Sequence, residues 1–265
     1  MLTILQSAGL HYPDTFALAR LMRTIRIYID LPLAAGAEVA LPERAAEHVA
    51  RVLRLGVGDA VTLFNGNGSN YLATILVAGK RRVTLMASAE QDAANESPLA
   101  MTLAQAVVRG EKMDWIVQKA TELGVVRIVP LLTERAQVHM DSTRAQKRWE
   151  HWRAVAVSAS EQSGRARVPE IIEPVVLQEW LTRLPANPGL LLTLWPQAQV
   201  KMRDLRFTSP CGTLVVGPEG GLGERDLRVL REGGFTSLSL GPRILRTETA
   251  GLAALAALQA VHGDW

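Results

Sequence analysis

The residue types that could do chemistry gather in two loops. In the first, Val215-Val216 runs into Gly217-Pro218-Glu219-Gly220-Gly221-Leu222-Gly223, and a charged helical pattern opens at Glu224. Positions without a side chain let a ligand approach the main chain closely, so this turn is suited to holding a small molecule by its amides and carbonyls. In the second, Leu238-Ser239-Leu240 leads into Gly241-Pro242, followed by Arg243, Arg246 and Glu248 ahead of another helical pattern. Two Gly-Pro turns at neighbouring strand ends, one glycine-rich and one charged, point to the walls of a binding cleft. Thr247 has the residue type expected to cap the last helix.

Other chemistries find no support. The glycines at 217, 220, 221 and 223 match neither the phosphate-cradling G-x-x-x-x-G-K-[ST] loop nor the dinucleotide fingerprint G-x-G-x-x-G. Gly66-Asn67-Gly68 lies between two strand-like runs and reads as a hairpin turn. Cys211 is the single cysteine, so an intrachain disulfide is excluded. The five histidines show no ligand spacing, which leaves a metal-free, cytosolic protein as the expectation. With 29 basic and 26 acidic residues, the mild positive excess permits a polyanionic partner without requiring one.

Two kinds of segment must position these loops. From Arg23 to about Ala87, short β-branched or aromatic runs (around Ile27, "AVTLF", "NYLATILVA" and "RRVTLMA") alternate with turns, and one helical piece surrounds Ala46 and Val49. This spacing predicts a small β-barrel over residues 22–88. Residues 89–98, small, acidic and closed by Pro98, read as a linker. From 99 to 265, strands and helices alternate, which predicts an α/β domain with a mostly parallel sheet. One helix should carry Met113, Ile116, Val117, Ala120 and Leu123 on a single stripe, with Gly124 beyond its end. Another should run from Arg144 to Ser163 and stop at Gly164. Trp149 and Trp152, at helical spacing, read as core or interface anchors. The last helix, "TAGLAALAALQAV", is apolar almost all round and should be buried on every side. Residues 1–21 read as an extension without function; they show no secretory pattern.

"VVGPEGGLGERD" and "LSLGPRILRTETA", together with "GEKMDWIVQKATELGV", "SASEQSGRARVPEI" and "HVARVLRLGVGDAVTLFNGNGSNY", resemble the SPOUT methyltransferases, specifically the 16S rRNA (uracil-N3) methyltransferase family, RsmE. The resemblance covers roughly residues 22–262. It implies an N-terminal PUA-like barrel and a C-terminal α/β domain tied in a trefoil knot. It also implies S-adenosylmethionine as cofactor, small-subunit ribosomal RNA as partner, and a homodimer. Carried over by position, Gly217, Pro218, Glu219, Gly220 and Gly221 form one wall of the cofactor pocket. Leu240, Gly241, Ile244, Leu245 and Arg246 form the other, and Thr193 and Leu194 supply a third strand end. The sequence departs from the family's usual pattern at Arg109, Ala136 and Gly223, where lysine, serine and a Ser/Thr cap are common.

For such a reaction, uracil N3 must lose its proton, and charge spreads onto O2 and O4. Arg246 is the candidate cation and Glu248 the candidate carboxylate, with Glu219 a rival base. Arg23, Arg26, Arg51, Arg54, Arg165 and Arg167 are candidate RNA contacts, with Arg144, Lys147, Arg148 and Arg153 a basic helix face. Two other readings remain: a SPOUT enzyme acting on ribose 2′-oxygen or another base, and a catalytically silent RNA-binding protein of ribosome assembly.

Overall fold

The computed structural model describes residues 25–136, 141–206 and 209–265. Arg23 and the 1–21 segment therefore lie outside the described residues. The chain forms two compact units, one reaching Asp92 and the other from Ala93 onward, with Gly66–Gly68 belonging to the second.

The first unit is a five-stranded sheet built from β1 (Arg26–Tyr28), β2 (Glu38–Ala40), β3 (Ala60–Phe64), β4 (Ser69–Ala78) and β5 (Val83–Asp92). Its order is β1-β3-β4-β5-β2, antiparallel except for the β1–β3 pair. Strand β4 shows why these residues make strands. Tyr71, Ala73 and Ile75 are buried, while Leu72, Thr74 and Leu76 face out, a period of two. Helix α1 (Glu43–Glu47), continued by a π-helical turn His48–Val52, adds Ala46 and Val49 to the same core.

The stretch expected to begin a linker at residue 89 is still strand. Ala89, Glu90, Gln91 and Asp92 pair with Leu72, Tyr71, Asn70 and Ser69, and the Tyr71 hydroxyl donates to Glu90 Oε1 at 3.0 Å. Cross-strand pairing overrides the weak strand preference of small and acidic residues.

The second unit is a parallel sheet with helices on both faces. Its strands are β6 (Ala100–Ala106), β7 (Arg127–Leu132), β8 (Glu170–Ile171), β9 (Val175–Val176), β10 (Leu190–Leu194), β11 (Val200–Lys201), β12 (Cys211–Val216) and β13 (Thr236–Ser239). The order is β11-β13-β10-β12-β6-β7-β8, with β9 beside β7. The helices are α2 (Lys112–Glu122), α3 (Ser142–Ser163), α4 (Leu177–Leu181), α5 (Glu224–Glu232) and α6 (Thr247–His262). Adjacent residues of β12 serve opposite faces. Leu214 and Val216 pack into the core with α2, α3 and α6, and Val215 packs with Trp180, Leu230 and Phe235.

Helix ends follow local rules. Asp141 accepts the Arg144 N–H at 2.8 Å, and Gly164 closes α3 with φ 84°. Trp152 is buried in the core. Trp149 is half-buried and donates Nε1–H to Ile171 O at 2.7 Å. In helix α6, Gly251, Ala254, Leu255 and Leu258 are buried within the chain, and Thr249, Ala253, Ala260 and Val261 are exposed on it. One chain covers one side of this helix.

Candidate active site

Strands β13, β10 and β12 are neighbours and parallel, so their carboxyl ends deliver three loops to one edge of the sheet. Next to them the chain reverses its direction of travel: β6 is followed by β7 on one flank, whereas β12 lies on the other. Ligands bind at such switch points in open α/β sheets. Here the loops enclose a cleft of about 620 Å³, within the roughly 300–1,000 Å³ range of small-molecule sites.

The glycine turn and the Gly241–Arg246 loop line this cleft together. Gly217, Pro218, Glu219, Gly220 and Gly221 face it from one side, Leu240, Gly241, Ile244, Leu245 and Arg246 from the other, and Leu194 from the end of β10. Thr193 is not among the lining residues. It is 1% exposed and registered between Val215 and Ser237 inside the sheet. The third wall comes instead from Leu194 and the Trp195-Pro196-Gln197 turn after it. Gly221 (φ 70°) and Gly241 (φ 116°) adopt left-handed backbone, and a Cβ at either would meet no protein atom within 4 Å. Both positions thus expose main chain to open space.

The glycine turn is braced from behind. Thr247 is the first residue of α6, and Arg246 takes the cap position. Instead of capping, the Thr247 hydroxyl donates to Gly217 O at 2.6 Å and accepts from Gln105 Nε2 at 3.0 Å. Tertiary hydrogen bonds in a buried setting outweigh a local cap. Arg135, which sequence reasoning missed, donates to Gly220 O at 3.1 Å. Buried Asp226 accepts from Gly223 N–H at 3.2 Å and Glu134 N–H at 3.1 Å. Desolvation raises its carboxyl above the ordinary value against the pull of these bonds. The Glu134 carboxylate lies directly against Gly223 Cα, filling the space a cap side chain would need.

Glu248 is partnered by Lys112, at 3.6 Å, rather than by Arg246. Lys112 also lies 3.3 Å from Glu219. Desolvation raises the Glu219 carboxyl, but hydrogen bonds from its own N–H, from Lys112 and from Arg109 N–H outweigh it. They hold this acid below its ordinary value, which argues against Glu219 as the base. Arg246 is exposed at the cleft.

The candidate RNA contacts divide. Arg165 is 3% exposed. It donates to Glu96 Oε2, Thr121 O and Val125 O at 2.8–2.9 Å, so it pins the segment after β5 and is not an RNA contact. Arg167 is exposed, and its main-chain N–H donates to Glu96 Oε1. Within the first unit, Arg26 stacks over Phe64 at 4.8 Å, and Arg51 pairs with Glu47 at 3.6 Å. Arg54 is exposed and has φ 54°, an uncommon backbone for a side chain of its size.

Among the described residues, no group of His, Cys, Asp and Glu could hold a metal ion, and no helix is long and apolar enough to cross a membrane.

Comparison with known proteins gives this cleft a class. An RNA methyltransferase domain family matches residues 95–259, and an RNA methyltransferase PUA domain matches residues 41–85. A relative from Buchnera aphidicola (subsp. Schizaphis graminum), "Ribosomal RNA small subunit methyltransferase E", is 32% identical over 91% of this chain and 98% of its own. The Bacillus subtilis protein of the same name is 32% identical over 80% and 85%. Among solved structures, the Neisseria gonorrhoeae ribosomal RNA small subunit methyltransferase E bound to S-adenosyl methionine superposes with TM-score 0.86, at 38% identity over 92% of this chain and all of that one. A Legionella pneumophila structure, described as a methyltransferase with the bound cofactor SAM, gives 0.87 at 40% identity with the same coverage. The chain belongs to the ribosomal RNA small subunit methyltransferase E (RsmE) family.

Proposed function

We propose that this protein methylates N3 of a uridine in the 16S RNA of the small ribosomal subunit, with S-adenosylmethionine as donor. The observation that carries the reading is the convergence of the glycine turn and the Gly241–Arg246 loop on one cleft at three parallel strand ends. The cleft suits an amphipathic nucleoside. Leu194, Leu240 and Leu245 supply apolar surface, and the open main chain at Gly221 and Gly241 supplies polar edges. Gly217–Gly221, Leu194 and Leu240–Arg246 would hold the cofactor, which supplies an electrophilic methyl group on a sulfonium.

The chain's own work is to align, to take a proton and to offset charge. Glu248, at the cleft in the first turn of α6, accepts the N3 proton. Arg246, exposed on the facing loop, stabilises the charge that develops on the uracil oxygens. Arg26, Arg51, Arg54 and Arg167 neutralise RNA phosphates. The exposed side of α6 at Ala253, Ala260 and Val261 supports a homodimer, and a ribosomal RNA substrate supports a cytoplasmic location.

The test is methyl transfer from labelled cofactor to small-subunit RNA, followed by mass mapping of nucleosides. N3-methyluridine is expected. A 2′-O-methylated product would overturn the target atom, and no incorporation with any RNA would overturn the activity.

A further inference from the structure

Lys112 has no part in the chemistry above, yet it joins the two sides of the cleft. Its ammonium lies 3.3 Å from Glu219 Oε1 in the glycine turn and 3.6 Å from Glu248 Oε2 in the first turn of α6. It is also the first residue of α2, where the helix dipole disfavours a cation. A local rule broken at a cleft wall marks a place where function outweighs local preference.

Glu248 Oε2 supplies the second observation. It is buried and accepts no hydrogen bond among the described residues, and its side chain is 16% exposed. A buried carboxylate oxygen without a donor is costly unless a charge faces it. Lys112 is that charge. One ammonium between two carboxylates leaves the cluster with a single net negative charge. Such a cluster becomes neutral on taking up one proton, which suits a site that must deprotonate its substrate.

We propose that Lys112 is the positioning residue of the proton transfer, holding Glu248 as acceptor by pairing with Glu248 and Glu219 at once. The inference rests on the proposed N3 methylation. In the step, the N3–H bond breaks, its electron pair stays on nitrogen, and the proton forms an O–H bond on Glu248. Lys112 acts through Glu248 and does not touch the uracil. Glu219 anchors Lys112 to the glycine turn, and Lys112 and Arg109 N–H both donate to it.

The test uses the full chain with Lys112→Met, Lys112→Arg, Glu248→Gln and the double variant Lys112→Met/Glu248→Gln. Cofactor affinity is measured by calorimetry and methyl transfer by single turnover on small-subunit RNA. Lys112→Met should slow transfer about 100-fold and leave cofactor Kd within about threefold. Lys112→Arg should restore the rate to within about tenfold of wild type. The double variant should be no slower than Glu248→Gln, because both changes disable one acceptor. Multiplying losses in the double variant, or wild-type transfer by Lys112→Met, would overturn the role. Should Lys112→Met unfold, Lys112→Arg carries the test, since a rate loss beyond tenfold in that folded variant would also overturn it. A wild-type product other than N3-methyluridine overturns the target reading and this inference together, whereas the correct product with multiplying losses overturns this inference alone.

Discussion

The two walls of the cleft are built by opposite means. Gly217–Gly223 is held by hydrogen bonds with Thr247, Arg135 and Asp226, each outside the turn. The Gly241–Arg246 loop lies largely in the open: Gly241, Arg243, Ile244 and Arg246 are exposed, and Ile244 is exposed to 84%. The difference separates two tasks. A braced wall presents main chain in a fixed geometry before the ligand arrives, which is the condition for tight recognition. An exposed wall with an apolar residue and two arginines has surface left to contact something else, and the proposed function supplies both a nucleoside and RNA to cover it.

The contrast is open to attack, and the braced wall offers the largest effect. A Cβ at Gly220 would meet only Arg135 side-chain carbons at 3.6–3.9 Å, an ordinary contact. Gly220→Val should therefore keep the fold and its melting temperature while blocking the cleft. Calorimetry should show cofactor affinity at least 100-fold weaker, about 3 kcal/mol. Retained affinity would mean the turn is not a ligand wall. Glu248→Gln comes next, with transfer lowered about 10²–10⁴-fold and cofactor Kd nearly unchanged in the same titration. On the exposed wall, Arg246→Ala should slow transfer about 10²-fold without lowering the melting temperature, because that side chain is exposed and among the described residues no hydrogen bond or ion pair braces it.

Smaller effects probe the bracing itself. Thr247→Val leaves Gly217 O and Gln105 without their shared partner and should cost about 1–3 kcal/mol in urea unfolding. Asp226 gives the smallest effect, read in its pH dependence. Its carboxyl is raised above the ordinary 3.8, so the folded state binds the proton more tightly than the unfolded chain. The stability contributed by this group falls as pH rises from the ordinary value through the raised one. Asp226→Asn should remove that component from a pH series of melts while Gly223 N–H keeps an acceptor. A series identical to wild type would show that Asp226 does not titrate with folding.

The cleft itself was legible in the residues because glycine and proline punctuate strand ends. The period-two run of β4 and the 3.6-residue stripe of α2 were legible for the same reason: one buried face imposes one period. What escaped depends on partners far along the chain. Lys112 sits 107 residues from Glu219, and the motif that contains it reads as a helical stripe. Arg165 stands on a Gly-Arg-Ala-Arg loop that reads as basic surface, yet its partners Glu96, Thr121 and Val125 lie 40–69 residues away. Thr247 obeys the local rule for a cap and was drawn off by Gly217 and Gln105. The strand over Ala89–Asp92 is imposed by β4. The knot implied by the resemblance concerns how the chain threads, a property that hydropathy does not encode.

The most direct measurement is a calorimetric titration of the wild-type chain and Gly220→Val with S-adenosylmethionine, side by side. The braced-wall account predicts saturable binding at one site per chain for the wild type and none for the folded variant at the same concentrations. Equal binding by both proteins, or no heat from the wild type at millimolar ligand, would contradict it.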